Sequence, residues 1–141
     1  MLNLIKLSVG SESVETLRDF VRWRAKQLGG TAKAVRHIHT TRMVPKRRDE
    51  LLAGGSIYWV IKGQVQARQK LIDIEPFTDV DGISRCHLVM EPQIIATHWQ
   101  PKRPFQGWRY LKPEDAPQDL KEGEDALSPD MRGELASLGL L

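Results

Sequence analysis

The chain has 141 residues, of which 40% are hydrophobic, a formal net charge of +3 and a single cysteine. This length suits one domain with its own core, one cysteine excludes an internal disulfide, and no run of about 18 apolar residues is present to span a membrane. We therefore expect a single-domain protein of a reducing, cytoplasmic compartment with no membrane partner.

A strand and a helix are predicted at the N-terminus. Residues 3–9 alternate imperfectly between apolar and polar, and no basic segment precedes them, so they indicate a first strand and not a secretion signal. In residues 11–28, Val14, Leu17 and Val21 fall on one helical face. Ser11 or Ser13 is a suitable N-cap, and the glycine pair 29–30 is a suitable end.

Strands and one short helix are predicted for the middle of the chain. Residues 34–44 alternate and are rich in β-branched side chains, and Pro45 then starts a short helix over 45–53. The apolar run 56–63, bounded by glycines, predicts a central strand buried on both faces. Four more segments have strand composition: 65–75, with a bulge near Lys70, then 83–91 after the Asp81-Gly82 turn, 94–99 and 105–111.

The C-terminal part differs in composition from the rest. Residues 113–141 carry two basic and eight acidic residues, so we place a domain at 1–112 and an acidic arm at 113–141. Within the arm, residues 113–128 are typical of a surface linker, and Ser128 with Pro129 predicts the start of a short terminal helix.

The order of elements predicts the fold class. Strands segregated from helices favour an α+β domain with a small, mostly antiparallel sheet. With an N-terminal helix and a short second helix, the sheet is expected to be strongly bent or closed into a β-barrel, which removes exposed edges.

Three segments resemble an uncharacterised family of bacterial proteins classed as a domain of unknown function. They are HTTRMVPKRRDELLAGGSIYWVIKGQVQARQKLIDIE, RCHLVMEP and KRPFQGWRYLKPEDAPQDL. The resemblance covers most of residues 4–120 and implies a bacterial, cytosolic protein, but no activity. The order of elements, the strand–bend–strand YWVIKGQVQARQKLIDIE and a late strand with GWRYL also resemble the PUA, ASCH and EVE group of small RNA-associated barrels. That likeness implies a PUA-like barrel by analogy of fold, which does not establish function.

Two basic blocks far apart in the sequence are the main functional signal. Residues 32–48 carry six Lys or Arg and no acid, and residues 92–112 carry four and no acid. Such blocks attract polyanions, nucleic acid above all, and rings beside them stack on unpaired bases. The candidate nucleic-acid-binding residues are Arg42, Lys46, Arg47, Arg48, Lys62, Gln64, Arg68, Lys102, Arg103, Phe105, Trp108 and Arg109.

Each of these residues also has a plainer explanation. The rings of Phe105 and Trp108 are either a binding surface or core with solvated cations around it, whereas Trp59 lies in an apolar run and is predicted to be core. Gln64, Gln66, Arg68 and Lys70 would share one strand face, which is either a binding face or an ordinary solvated one.

Catalytic and metal patterns are weak. His37 and His39 point the same way on a strand, but no spacing selects a third metal ligand. His39 with Thr41 matches half of a two-histidine phosphoesterase motif, and the second half is absent. Cys86 is predicted to be a buried structural thiol, and we predict no cofactor.

We therefore expect a non-enzymatic protein that binds RNA or single-stranded nucleic acid. One alternative is an enzyme on a phosphorylated or nucleotide substrate that uses His39 or Lys62 as the acid or base. Another is an adaptor whose acidic arm binds a protein partner or masks the basic surface of its own domain.

Overall fold

The computed structural model describes residues 1–27 and 36–121, and these form an α+β fold with one seven-stranded sheet. The elements are listed here in chain order. They are β1 (Asn3–Leu7), α1 (Val14–Gln27), β2 (His37–Thr41), α2 (Arg48–Leu52), β3 (Ser56–Ile61), β4 (Gln64–Thr78), β5 (Ser84–Met90), β6 (Ile95–Pro101), β7 (Trp108–Leu111) and a 3-10 turn at Pro113–Asp115.

The sheet is mixed and is not closed. Its strand order is β2-β5-β4-β3-β1-β7, and β6 also pairs with β4. In the described part of the chain, β1 and β3 are parallel and the other strand pairs are antiparallel. The connection from β1 to β3 contains α1, β2 and α2, which gives the long crossover that a parallel pair needs.

Strand β4 runs along most of the sheet. Its first half pairs with β3 and β6, and its second half pairs with β5. Strands β5 and β6 both run antiparallel to β4. In the connection between β5 and β6, the backbone amide of Glu91 donates to the carbonyl of Lys70 on β4 at 3.0 Å. The register of β4 shifts between Val65 and Ala67 and between Leu71 and Asp73. The second shift lies just after Lys70, where the sequence predicted a bulge.

Two apolar clusters contain the buried side chains. The larger one unites Val14, Leu17 and Val21 of α1 and Leu51 of α2 with strand residues that include Trp59. The smaller one contains Ile5, Tyr58, Val60, Val65 and Leu111, with Phe105 packed against it. All six residues of β3 are buried, which confirms the prediction of a central strand covered on both faces.

Side chains, not a backbone ladder, connect the two ends of the strand order. The indole Nε1 of Trp108 on β7 donates to the carbonyl of Met43, just after β2, at 2.7 Å. The backbone amides of Lys46 and Arg47 donate to the Tyr110 hydroxyl at 2.9 and 3.2 Å. These contacts join the two ends of the strand order, but a closed barrel is not formed.

The acidic segment beyond β7 packs onto the sheet as far as the structure describes it. The backbone amide of His98 on β6 donates to the carbonyl of Gln118 at 2.8 Å, and the amide of Leu120 donates to the carbonyl of Ala96 at 3.0 Å. Leu120 also packs against the larger core cluster. Residues 113–121 thus have ordered partners where composition indicated a linker, and the helix predicted from Ser128 lies outside the described residues.

Most predicted elements are present with shorter bounds. The short helix begins at Arg48 and not at Pro45, because Lys46 and Arg47 turn their amides toward Tyr110. The end of the first helix, predicted at the glycine pair 29–30, lies outside the described residues. No helix within residues 1–27 and 36–121 is long and apolar enough to cross a membrane.

Candidate nucleic-acid interface

The two basic blocks of the sequence meet at β7, at one end of the strand order. The first block reaches β7 through the loop 42–47. In this loop the Met43 carbonyl accepts a hydrogen bond from Trp108, and the amides of Lys46 and Arg47 donate to the Tyr110 hydroxyl. The second block contains β7 itself. Two side chains of β7, Trp108 and Tyr110, therefore connect segments that lie more than 60 residues apart in the sequence.

Phe105 is the centre of a small group of cations. The Nζ atom of Lys102 and the Cζ atom of Arg109 each lie 5.7 Å from the centroid of its ring. The ring is half-buried against the smaller core cluster, and both cations are exposed. No carboxylate of residues 1–27 and 36–121 forms an ion pair with either cation.

Lys62 lies in the tight turn between β3 and β4, beside the start of this group. Its φ is +49° and that of Gly63 is +77°, the two positive values that a type I′ hairpin turn requires. The backbone amide of Lys102 donates to the carbonyl of Gly63 at 2.9 Å. The turn therefore places an exposed Lys62 near Lys102.

Three predicted arginines have carboxylate partners. Arg47 forms an ion pair with Glu50 and lies over the Tyr110 ring at 5.5 Å. Arg48 donates to Asp73 and to the carbonyl of Ile74. Arg68 donates to both carboxylate oxygens of Asp119.

These ion pairs shift the pKa values of the groups that form them. The hydrogen bond from Arg47 lowers the pKa of Glu50. The backbone amide of Ile74, and then Arg48, lower the pKa of Asp73. The hydrogen bonds to Asp119 raise the pKa of Arg68. Their charges are thus already balanced, whereas no carboxylate of the described residues pairs with Lys102 or Arg109.

Trp108 and the glutamines of β4 are internal. Trp108 is 5% exposed and belongs to the larger core cluster, so the core interpretation of this ring is the one that the structure supports. Gln66 is buried and donates to the carbonyl of Ile61 at 2.8 Å. Gln64 is partly buried. Trp59 is 3% exposed, which confirms that it is core.

The remaining candidates are exposed. Arg42, Lys46 and Arg103 lie in loops next to β2, α2 and β6, and no ion pair within the described ranges involves their side chains. Arg42 directly precedes Met43, whose carbonyl contacts Trp108, and Arg103 directly follows Lys102. Both are therefore close in sequence to residues that contact β7 or Phe105.

His37 belongs to an internal polar network, and His39 packs beside it. The side-chain amide nitrogen of Gln69 lies 2.9 Å from His37 Nδ1, and the Gln69 oxygen accepts from Trp59 Nε1 at 3.1 Å. His39 lies edge-on to Trp59, with ring centroids 5.6 Å apart. Burial, and then Lys6, lower the pKa of His39 to about 4. Cys86 is fully buried, and burial raises the pKa of its thiol.

Tyr110 is the residue of this region that sequence reasoning did not select. Its hydroxyl accepts two backbone hydrogen bonds from the loop and its ring contacts Arg47. The signal was present, because alternation along a strand puts Tyr110 on the same face as Trp108. The alternation does not identify the partner of the Tyr110 hydroxyl, the amide of Lys46, which lies 64 residues earlier in the chain.

The comparisons with known proteins give one family. The family described as "Protein of unknown function (DUF1489)" matches residues 4–141, so the chain belongs to this family. No curated protein and no solved structure matches the chain significantly. The family membership confirms the resemblance seen in the sequence, and the likeness to PUA-type barrels stays a prediction.

Proposed function

We propose that this member of a family of unknown function binds single-stranded nucleic acid, without catalysis, at the "β7 surface". The β7 surface is Lys62, Lys102, Arg103, Phe105 and Arg109, with Arg42 and Lys46 at its margin. RNA in the cytoplasm is the ligand that we expect.

One observation carries the proposal: two exposed cations, Lys102 and Arg109, share the Phe105 ring, and no described carboxylate neutralises them. Like charges held close together repel each other, and a phosphate between them relieves that repulsion. Lys62 and Arg103 add two more exposed cations. Lys62 lies in the turn whose Gly63 carbonyl contacts the Lys102 amide, and Arg103 directly follows Lys102 in the chain. A chain of phosphates is the ligand that would contact several of these groups at once.

Phe105 favours a single strand over a duplex. An unpaired base has a free face that stacks on an aromatic ring at about 1–3 kcal/mol, whereas the bases of a duplex are already stacked on each other. Arg109 adds a planar guanidinium beside the ring, and this group also stacks on bases. Trp108 and Tyr110 serve instead to hold the loop 42–47 against β7.

The test is fluorescence anisotropy of the nuclease-treated protein with labelled single-stranded RNA, duplex RNA and DNA over a salt series. We compare wild type with the double variant Lys102→Ala/Arg109→Ala. The matched control is the double variant Arg22→Ala/Lys26→Ala, which removes the same charge from exposed positions of α1.

We expect single-stranded RNA to bind more tightly than either duplex. The slope of log affinity against log salt should fall by about 1.4 in the β7 variant, since each lost phosphate contact removes about 0.7 for a single strand. The control should keep the wild-type slope. Equal losses in both variants would mean that only net charge matters, and no binding by wild type at low-micromolar protein and modest salt would reject the proposal.

A further inference from the structure

A cavity of about 510 Å³ lies where the segment 113–119 crosses the sheet. The sheet side is polar and the segment side is largely apolar. The sheet supplies Asn3, Ser56, Tyr58, Arg68 and Lys70, and the segment supplies Pro113, Ala116, Pro117, Gln118 and Asp119. Cavities of this size with an apolar wall and a few convergent polar groups are typical of small-molecule sites.

Arg68 lines this cavity and is held there by three hydrogen bonds. Its Nε and Nη2 atoms donate to the two carboxylate oxygens of Asp119 at 2.7 and 2.8 Å, and its Nη1 atom donates to Ser56 Oγ at 3.0 Å. Its side chain is 24% exposed and that of Asp119 is 44% exposed. The guanidinium therefore already holds a carboxylate in the two-point geometry that it would offer to a ligand.

Two further donors, which have no side-chain partner among the described residues, line the same cavity. Tyr58 is 8% exposed, and its hydroxyl forms no hydrogen bond within the described ranges. Burial raises the pKa of Tyr58, so the hydroxyl keeps its proton at neutral pH. Lys70 is exposed, and no described acid forms an ion pair with it.

We propose that this cavity binds a small organic molecule through an oxyanion, either a carboxylate or a phosphate. Arg68, Lys70 and the Tyr58 hydroxyl hold the oxyanion, and the apolar segment covers the organic part. Asp119 competes with the ligand for Arg68, because one guanidinium edge cannot hold two carboxylates in the same way. This site is separate from the β7 surface and does not depend on nucleic-acid binding.

The competition makes the proposal testable with simple probes. We titrate succinate and glycerol 3-phosphate into the full chain by calorimetry, with wild type, Asp119→Asn and Arg68→Lys. Asp115→Asn is the matched control, since it removes the same charge from the same segment and leaves the Arg68 pair intact. Circular dichroism checks that each variant is folded.

We expect Asp119→Asn to bind a probe about tenfold more tightly than wild type, because the amide is uncharged and no longer offers two acceptor oxygens to the guanidinium. Arg68→Lys should weaken binding at least tenfold, since an ammonium lacks the two-point geometry. Tighter binding of succinate identifies a carboxylate ligand, and tighter binding of glycerol 3-phosphate identifies a phosphate ligand. If Asp119→Asn and Asp115→Asn have the same effect, or if neither probe binds at about 10 mM, the proposal is overturned.

A second variant covers the case in which Asp119→Asn does not fold. Lys70→Ala changes an exposed side chain, and it should weaken probe binding about fivefold without loss of structure; unchanged binding overturns the proposal. Lys102→Ala/Arg109→Ala should bind both probes as wild type does. Loss of RNA binding in that variant with retained probe binding keeps the two proposals distinguishable.

Discussion

The indole Nε1 of Trp108 donates a hydrogen bond of 2.7 Å to the carbonyl oxygen of Met43. This contact joins a residue of the last strand to the loop after β2, and the two lie 65 residues apart in the chain. With the Tyr110 hydroxyl it fixes the loop 42–47 on β7. A buried ring thus brings the two basic blocks of the sequence together.

Trp108→Phe should destabilise the protein by about 1–3 kcal/mol, because it leaves the Met43 carbonyl without its donor and removes part of a buried ring. Tyr110→Phe keeps the ring and removes an exposed acceptor, so it should cost no more than about 1 kcal/mol. Urea unfolding measures both. Equal stability of Trp108→Phe and wild type would show that the contact contributes nothing to the fold.

Local patterns predicted the elements well where one physical constraint decides them. The apolar run 56–63 had to be buried on both faces, and β3 is. The parallel pairing of β1 with β3 and the docking of residues 118–120 on β6 were not predictable in this way. Backbone hydrogen bonds make both contacts, and such bonds leave no pattern of side chains in the sequence.

Phe105→Leu should weaken the binding of single-stranded RNA by about 1–3 kcal/mol, since leucine packs against the same apolar cluster but offers no face for stacking. The free energy of unfolding should change by less than about 1.5 kcal/mol. Anisotropy and urea unfolding of the same preparation separate the two effects. If binding falls only in proportion to the folded fraction, Phe105 is a packing residue and not a contact.

Lys62→Asn should raise stability and lower RNA affinity together. Lys62 has a φ of +49°, a left-handed conformation that costs a side chain such as lysine about 1 kcal/mol and that asparagine tolerates better. The same change removes one cation of the β7 surface. A rise in the unfolding midpoint with unchanged RNA affinity would place Lys62 outside the contact region.

Gly55→Ala should be among the most damaging small changes in the chain. A Cβ atom there would lie 2.1 Å from the carbonyl oxygen of Leu2 and 2.5 Å from that of Leu51, and neither backbone atom can move freely. We expect a loss of more than about 2 kcal/mol. Gly82→Ala is the comparison, since its Cβ meets no atom within 4 Å and only the φ of +78° opposes it; a smaller loss at Gly55 than at Gly82 would contradict the packing.

Composition alone does not show which of the candidate arginines already have carboxylate partners. Arg47 and Arg109 are the same residue type in comparable basic blocks, yet Arg47 has a carboxylate partner and no described acid pairs with Arg109. Glu50 is three positions from Arg47 and its pairing was readable. Asp73 and Asp119 lie 25 and 51 positions from Arg48 and Arg68, so only the fold reveals that these charges are balanced.

Stability should decrease as the pH falls from about 6.5 to about 4, because His39 is neutral in the folded protein. Its pKa is lowered from 6.5 to about 4 by burial and then by Lys6, His37 and Arg24, so the unfolded chain takes up a proton in this range that the folded chain does not. The contribution of His39 to the free energy of unfolding is therefore fully present above pH 6.5 and is lost as the pH approaches 4. For a partly exposed ring we expect a loss of about 2 kcal/mol.

Urea unfolding of wild type and His39→Phe at several pH values tests this. Phenylalanine keeps an aromatic ring against Trp59 but has no proton to gain, so its stability should depend less steeply on pH between 6.5 and 4. A residual slope is expected from His37, whose pKa burial also lowers, and near the acid end of the range from Glu50, whose pKa the hydrogen bond from Arg47 lowers. Asp73 and Asp79 also have lowered pKa values, and they act mainly below pH 4, outside the tested range. Identical slopes in the two proteins would mean that His39 is protonated to the same extent in the folded and unfolded chains.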